Sequence, residues 1–287
     1  MKALVIGGTG TVGSQVVREL LARGVSVHVL TRSPERLKGL PAGADAVVGD
    51  LLSPSTVRSA FAGIDGVFML NAVSTTEAHE GLMAVNGARL AGVGRFVYMS
   101  IHNLGAAPHL PHFGAKIPVE IALLQSRIPY TILRPNNFFQ NDYWYKDALL
   151  QYALYPQPMG EVGISRVDVR DIAEAAAIAL TTDGHQGQTY NLVGPDALTG
   201  SATAAFWTRA LGKPVAYGGD DLDVWEQQSL QYLPPWMVFD FRLMYDFFQK
   251  QGLKATASDI KVQTKLLGHP PRNYAAFVAE TAKVWKT

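Results

Sequence analysis

The chain has 287 residues, of which 48% are apolar and 17% charged, and its formal net charge is +1. This apolar content is enough to bury a core and excludes a wholly disordered chain. The near-neutral charge gives no reason to expect nucleic acid or an anionic membrane as a partner. The lack of cysteine excludes disulfides, cysteine-bound zinc and a thiol nucleophile.

The N-terminal apolar run is short, because Met1–Ile6 is followed at once by Gly7-Gly8. A signal peptide needs an apolar core of about 7–15 residues, and a membrane span needs ~18 apolar residues, which no stretch approaches. We therefore expect a cytoplasmic protein with no membrane partner.

The first 135 residues alternate short apolar runs with amphipathic stretches, in which Ser33-Pro34 and Ser53-Pro54 have the pattern of helix starts. Strands that alternate with helices form a parallel sheet through right-handed crossovers. The fold class that this predicts is a doubly wound parallel α/β sheet of the Rossmann type. The predicted strands are Ala3–Ile6, Val25–Leu30, Ala46–Val48, Val67–Leu70, Phe96–Met99 and Tyr130–Leu133.

Beyond Pro135 the alternation of short apolar runs with amphipathic stretches becomes less regular. Ile172–Leu180 predicts one more helix and Thr189–Val193 one more strand of the same sheet, whereas residues 138–155 and 225–248 are rich in aromatic side chains. We predict that a smaller, mostly helical C-terminal lobe packs over the carboxyl ends of the strands. The NAD(P)-binding domain would comprise residues 1–135 and about 163–195, and the substrate-binding lobe about 136–162 and 196–287.

The strongest motif is the glycine loop Gly7-Gly8-Thr9-Gly10-Thr11-Val12-Gly13, which follows the first strand and opens the first helix. This is the context of a dinucleotide-binding fingerprint. Gly7 permits the tight turn, Gly10 lets the backbone approach a pyrophosphate, and Gly13 lets the helix pack close to the strand. The free N–H groups of the helix N-terminus would bind the anion.

The residue after the second strand indicates which nucleotide binds. An NAD site usually has an acidic residue here, whereas Arg32 offers a fork-shaped cation suited to a 2′-phosphate. We therefore expect NADP(H) to be preferred over NAD(H), the alternative being that Arg32 is an ordinary surface arginine. Asp50 follows the third strand, where it could contact the adenine or serve only to cap the next helix.

Two more loops follow strand ends, Leu70-Asn71-Ala72 and Pro135-Asn136-Asn137-Phe138. In open α/β sheets, ligands bind outside the carboxyl ends of the strands at the switch point, so both loops are expected to line the cofactor crevice on its nicotinamide side. Asn71 and Asn137 could donate or accept hydrogen bonds there, or be ordinary turn residues.

Three further motifs follow the glycine loop and Arg32 along the chain: Gly49-Asp50-Leu51, Pro129-Tyr130-Thr131-Ile132-Leu133-Arg134-Pro135 and Val167-Asp168-Val169-Arg170-Asp171-Ile172-Ala173. With these motifs the chain resembles the NmrA-like branch of the atypical short-chain dehydrogenases/reductases. The resemblance implies a bound NAD(P) and an activity like that of the quinone, azo-dye and triphenylmethane-dye reductases in this branch.

One motif departs from the superfamily. Ser100 follows the fifth strand and Lys116 lies 16 residues further on, but His112 occupies the place of the usual catalytic tyrosine. The resemblance implies that Lys116 holds the nicotinamide ribose, and in isoflavone-reductase-like relatives such a lysine assists proton transfer. His112 could donate a proton, since an imidazole titrates near pH 6.5, or it could be a polar residue at the rim of the site.

Other chemistries find no support in the sequence. His102, His109 and His112 lack the spacing of metal ligands on one element, and no carboxylate lies among them, so no metal site is predicted. There is no Gly-x-Ser-x-Gly elbow for a serine hydrolase. The first aromatic segment has few charges, which argues against a sugar-nucleotide substrate.

The aromatic segments allow three interpretations: core of the lobe, a flat pocket for a quinone or azo compound, and a subunit interface that would make a homodimer. The sequence thus favours an NADPH-dependent oxidoreductase that acts on an aromatic, quinone-like or azo acceptor, and the alternative is a non-catalytic NADP(H)-sensing regulator. The predicted catalytic residues are Lys116 and His112. The predicted cofactor-binding residues are Gly7, Thr9, Gly10, Thr11, Val12, Gly13, Arg32, Asp50, Leu51, Leu70, Asn71, Ser100, Lys116, Pro135, Asn137 and Phe138.

Overall fold

The structure, a computed structural model, describes residues 1–33, 35 and 39–286. Pro34 of the predicted helix start Ser33-Pro34 and Thr287 at the end of the predicted lobe lie outside the described residues. The chain divides into two compact units. The first comprises Met1–Pro135, Val169–Leu192 and Lys265–Gly268, and the second comprises Asn136–Asp168, Val193–Thr264 and His269–Thr287.

The first unit contains a seven-stranded parallel sheet, as predicted, with strand order β3-β2-β1-β4-β5-β6-β8. All seven predicted strands are confirmed to within two residues at each end. Their bounds are β1 Lys2–Ile6, β2 Ser26–Thr31, β3 Ala44–Val48, β4 Gly66–Met69, β5 Arg95–Met99, β6 Tyr130–Pro135 and β8 Gln188–Leu192.

Helices cover both faces of this sheet. Alternate residues of β1 point to opposite faces of the sheet. Leu4 and Ile6 belong to the core formed with the helices that begin at Pro54, Glu77 and Ile117, while the helices that begin at Thr11 and Val169 pack together on the other face. The helices of this unit are α1 Thr11–Ala22, α2 Pro54–Ala60, α3 Glu77–Ala91, α4 Pro111–Gly114, α5 Ile117–Gln125 and α7 Val169–Thr181. The Ser53-Pro54 start is confirmed, since Ser53 is the N-cap of α2.

The second unit is mostly helical, with one short pair of parallel strands, β7 Leu154–Tyr155 and β9 Ala216–Tyr217. Residues 138–155 hold the 3-10 helix Phe139–Tyr145, and residues 225–248 fall in the helices Leu222–Ser229 and Pro235–Gln251 and in the short connection between them. Its helices are α6 Lys146–Gln151, α8 Gly200–Leu211, α9 Leu222–Ser229, α10 Pro235–Gln251 and α12 Tyr274–Trp285. The remaining helix, α11 Ala257–Leu267, has its last residues in the first unit.

None of the helices in residues 1–33, 35 and 39–286 has the length and apolar character that crossing a membrane requires.

Candidate functional site

The glycine loop lies where the sequence predicts, between β1 and α1. The Gly10 N–H donates to the Gly7 carbonyl at 3.0 Å, and Gly10 is the N-cap of α1 without a side chain to accept from the helix N–H groups. A Cβ on Gly13 would lie 2.1 Å from the Gly7 carbonyl oxygen, so only glycine fits there. At Gly10 the nearest atom would be 3.4 Å away, which leaves the outer side of the loop open. The loop therefore presents backbone N–H groups to an anion.

A cavity of about 270 Å³ adjoins this loop at the carboxyl ends of the first four strands. It is open to solvent on one side and mixes polar with apolar walls. Seven of the predicted cofactor-binding residues line it: Gly7, Thr9, Arg32, Asp50, Leu51, Leu70 and Asn71. Thr11 is exposed at the start of α1, while Val12 is buried in the core beneath the loop.

Among the residues that the structure describes, three charged ones line the cavity: Arg32, Asp50 and Glu80. Arg32 is two-thirds exposed, and its Nη1 lies 4.0 Å from Oε1 of Glu80, whose side chain is only 12% exposed. Asp50 is not the N-cap of α2; its Oδ1 instead accepts from the Leu52 N–H at 2.9 Å. Glu80 could not be singled out from the sequence, because an acidic residue in the first turn of a helix is ordinary by itself.

Lys116 forms a buried ion pair. It is the N-cap of α5, and its Nζ donates to Oε1 of Glu77 at 2.6 Å, with side chains 7% and 1% exposed. Glu77 is the first residue of α3 and was also missed, since the two residues are 39 positions apart. An ammonium has three donors, so the pair with Glu77 leaves Lys116 able to donate further hydrogen bonds.

The phenol of Tyr98, on β5, is buried in the same unit. The pKa of Tyr98 is raised well above its ordinary value, first by burial and then by the negative charges of Glu77 and Glu120. Tyr98 is therefore a neutral phenol at physiological pH.

His112 lies on the one-turn helix α4, four residues before Lys116. It is buried, and its ring meets that of Phe113 edge-on at 4.8 Å. Burial makes it part of the interior rather than of an exposed loop. A helix of four residues is too short for a hydrophobic pattern to predict this.

Ser100 and Asn71 are buried at the ends of β5 and β4. The Ser100 N–H donates to the Leu133 carbonyl at 2.8 Å, which continues the sheet beyond β5. Within the described part of the chain, neither Ser100 Oγ nor Asn71 Oδ1 has a hydrogen-bond partner. Because a buried polar atom without a partner is costly, these two atoms are candidates for contact with a ligand.

The predicted residues Asn137 and Phe138 belong to the second unit, whereas Pro135 ends β6 in the first. Arg166, fully buried, holds their loop: its Nε donates to Asn137 Oδ1 at 3.1 Å and its Nη2 to the Phe138 carbonyl at 2.6 Å. Nη2 also contacts Asp142 at 2.7 Å. The backbone and side chain of this loop are thus fixed within the unit.

The parallel sheet with a glycine loop after its first strand defines a Rossmann-type α/β protein. The chain belongs to the NmrA-like family, whose family profile matches residues 1–276.

Among curated proteins, the chain is similar to an NAD(P)H azoreductase of Xenophilus azovorans, with 32% identity over 277 residues and 96% of each chain covered. Among solved structures it is similar to the quinone oxidoreductase QOR2 of Escherichia coli in complex with NADPH, with 26% identity and a TM-score of 0.86; 98% of this chain and 99% of that chain are covered. The triphenylmethane reductase of Citrobacter sp. has the same fold, with 23% identity, a TM-score of 0.83, and 98% and 100% covered.

Proposed function

We propose that this protein is an NADPH-dependent reductase that transfers hydride to a quinone-like, azo or other conjugated aromatic acceptor. The observation that carries the proposal is the cavity beside the glycine loop, which unites Gly7, Arg32 and Asn71 at the carboxyl ends of the strands. The similarity to an NAD(P)H azoreductase over 96% of both chains supports a reductase.

The residues present fit a dinucleotide. The loop has an open outer side at Gly10 and uncapped N–H groups, which suit a pyrophosphate. Asn71 Oδ1 and Ser100 Oγ are buried and have no partner in the described residues, so each has hydrogen-bonding capacity left for a ligand. Arg32, at the end of β2, would face the 2′-phosphate that distinguishes NADPH from NADH.

When bound, the cofactor NADPH would supply the hydride, and the protein would bind and orient the reactants. The acceptor would take up this hydride and one proton. Lys116, fixed by Glu77, would hold the ribose next to the nicotinamide and orient it. Leu51 would contact the adenosine end, and Pro135, Asn137 and Phe138 the nicotinamide end. On this proposal the first unit is the NAD(P)-binding domain and the second the substrate-binding lobe.

The type of acceptor is inferred from the absence of the usual catalytic tyrosine. His112 stands where ordinary dehydrogenases of the superfamily have a tyrosine, so the tyrosine mechanism of ketone reduction is not expected. Reduction of a quinone or an azo bond needs less such assistance than reduction of a ketone. His112, which is buried and lies four positions before Lys116 in the sequence, is either the proton donor or a packing residue. In His112→Ala, a fall in kcat of less than about threefold would make it a packing residue, and a larger fall the proton donor, since general acid catalysis contributes ~10²–10⁴-fold.

The proposal is tested with purified protein, by following NADPH oxidation in the presence of a quinone, an azo dye, a conjugated ketone and a simple aldehyde, with NADH in parallel. We expect turnover with the quinone or the azo dye and a lower KM for NADPH than for NADH. Tight NADPH binding without turnover on any acceptor would instead favour the NADP(H)-sensing regulator.

A further inference from the structure

We infer that Glu80 sets the preference between NADPH and NADH, because it pairs with Arg32 and weakens the hold of Arg32 on a 2′-phosphate. This inference rests on the proposed function, which makes Arg32 the 2′-phosphate ligand. Glu80 is no part of the glycine fingerprint, and its role follows from its position in the cavity wall.

The carboxylate of Glu80 is the fixed member of the pair. Thr76 Oγ1 donates to its Oε1 at 2.8 Å, and Asn71 Nδ2 lies 3.5 Å from its Oε2. The side chain is only 12% exposed, whereas that of Arg32 is 65% exposed. Because the side chain of Arg32 is largely exposed, its guanidinium has room to turn either to the carboxylate or to a ligand in the cavity.

The charges of the cavity wall give the sign of the effect. Arg32 is its one cation among the described lining residues, and Asp50 and Glu80 are its two carboxylates. A phosphate monoester carries about 1.5–2 negative charges near pH 7 and would compete with Glu80 for the same guanidinium. A 2′-hydroxyl carries no charge and loses little from that competition. Glu80 therefore lowers the affinity for NADPH more than the affinity for NADH.

The test measures binding rather than activity. Glu80→Gln keeps an oxygen for the Thr76 hydroxyl but removes the charge. Dissociation constants are measured for NADPH and NADH, and for adenosine 2′,5′-bisphosphate and AMP, which probe the adenosine end alone. Glu19→Gln, which removes one negative charge from α1 of the same unit, is the matched control. All titrations use the same low ionic strength, because exposed charges are screened by salt.

In Glu80→Gln we expect about three- to tenfold tighter binding of NADPH and of adenosine 2′,5′-bisphosphate, with NADH and AMP changed less than twofold. Glu19→Gln should bind all four like the wild type. In an Arg32→Gln background, adding Glu80→Gln should change the affinity for the bisphosphate less than twofold, because the guanidinium that Glu80 holds is gone.

Two results would overturn the inference while leaving the proposed function intact: an unchanged ratio of NADPH to NADH affinity in Glu80→Gln, or an equal gain with and without Arg32. If the wild type binds none of the four ligands, the proposed function fails as well. Retained NADH binding in Glu80→Gln shows that the variant is folded.

Discussion

The ammonium of Lys116 lies 2.6 Å from Oε1 of Glu77, and almost nothing of either side chain reaches solvent. The pair joins the first residue of α3 to the N-cap of α5, two helices on the same face of the sheet. Charges buried to this extent persist because each compensates the other. The position of Lys116, the residue proposed to hold the nicotinamide ribose, therefore depends on Glu77.

Glu77→Gln should destabilise the protein, because it leaves the Lys116 ammonium buried without a counter-charge. Loss of one partner of a buried pair costs about 3–5 kcal/mol. We also expect a higher KM for NADPH, since the amine is no longer fixed. Urea unfolding measures the free energy, and Asp183→Asn is the control: it breaks the Arg95–Asp183 pair, whose aspartate is 88% exposed, and should cost less than about 1 kcal/mol. Equal losses in the two variants would contradict this account.

Substitution by alanine should reduce stability at Gly13 and NADPH affinity at Gly10. In Gly13→Ala the new Cβ would lie 2.1 Å from the Gly7 carbonyl oxygen, so we expect a loss of about 1–3 kcal/mol or more of stability. In Gly10→Ala the Cβ has room, so stability should change little, but NADPH should bind at least tenfold more weakly because the methyl group would keep a pyrophosphate from the loop. Thermal unfolding and NADPH titration measure the two effects. A Gly10→Ala variant with unchanged NADPH affinity would place the phosphates elsewhere.

Arg166 should be essential to the second unit. Burial, the largest single influence, acts to lower its pKa. The charge of Asp142 and its hydrogen bond, together with Tyr155 and Tyr274, outweigh burial, so the net shift is upward and the guanidinium stays charged. Arg166→Met would leave the buried Asp142 without its counter-charge and release the loop of Asn137 and Phe138, at a cost of about 3–5 kcal/mol.

The control for Arg166 is Arg242→Met on α10, whose pairs with Asp223 and Glu226 are partly exposed and worth about 0–1 kcal/mol each. Chemical unfolding measures the free energy of unfolding of both variants. A cost below 1 kcal/mol in Arg166→Met would show that the buried pair adds no net stability.

The stability of the first unit should fall in mild acid partly through His185. Burial, followed by the charge of Arg95, lowers the pKa of this imidazole below its usual value near 6.5. The unfolded chain therefore binds a proton more readily than the folded one, and the stability present above pH 6.5 is lost as the pH falls below that value. Between pH 7 and pH 5 the melting temperature of His185→Gln should fall less than that of the wild type. An equal loss would mean that other groups account for the acid sensitivity.

Hydrophobic periodicity was sufficient to predict the sheet. Most of the seven strands contain a short apolar run, such as Ala3–Ile6 in β1 and Phe96–Met99 in β5, and such runs are recognisable one at a time. The glycine loop, Arg32, Asp50 and Asn71 could be placed around one cavity because the carboxyl ends of parallel strands meet at the same edge.

The acidic partners could not be predicted, because pairing is a tertiary property. Glu77 and Glu80 both lie in the first turn of α3, where acidic residues are favoured by the helix dipole whether or not they have a partner. Asp142 and Arg166 are 24 positions apart, with α6 and β7 between them. No local pattern distinguishes these side chains from solvated ones, and only the folded structure reveals the pairs.

NADPH bound at the glycine loop is proposed to give its hydride directly to an aromatic acceptor. The most direct measurement preloads the protein with one equivalent of NADPH carrying deuterium at C4 of the nicotinamide, mixes it with a quinone or an azo dye, and analyses the products of a single turnover. We predict stoichiometric oxidation of NADPH in the wild type, with loss of deuterium from one face of the nicotinamide only, and much slower oxidation in Lys116→Met. NADPH that stays bound and unoxidised with every acceptor would contradict direct hydride transfer to an aromatic acceptor.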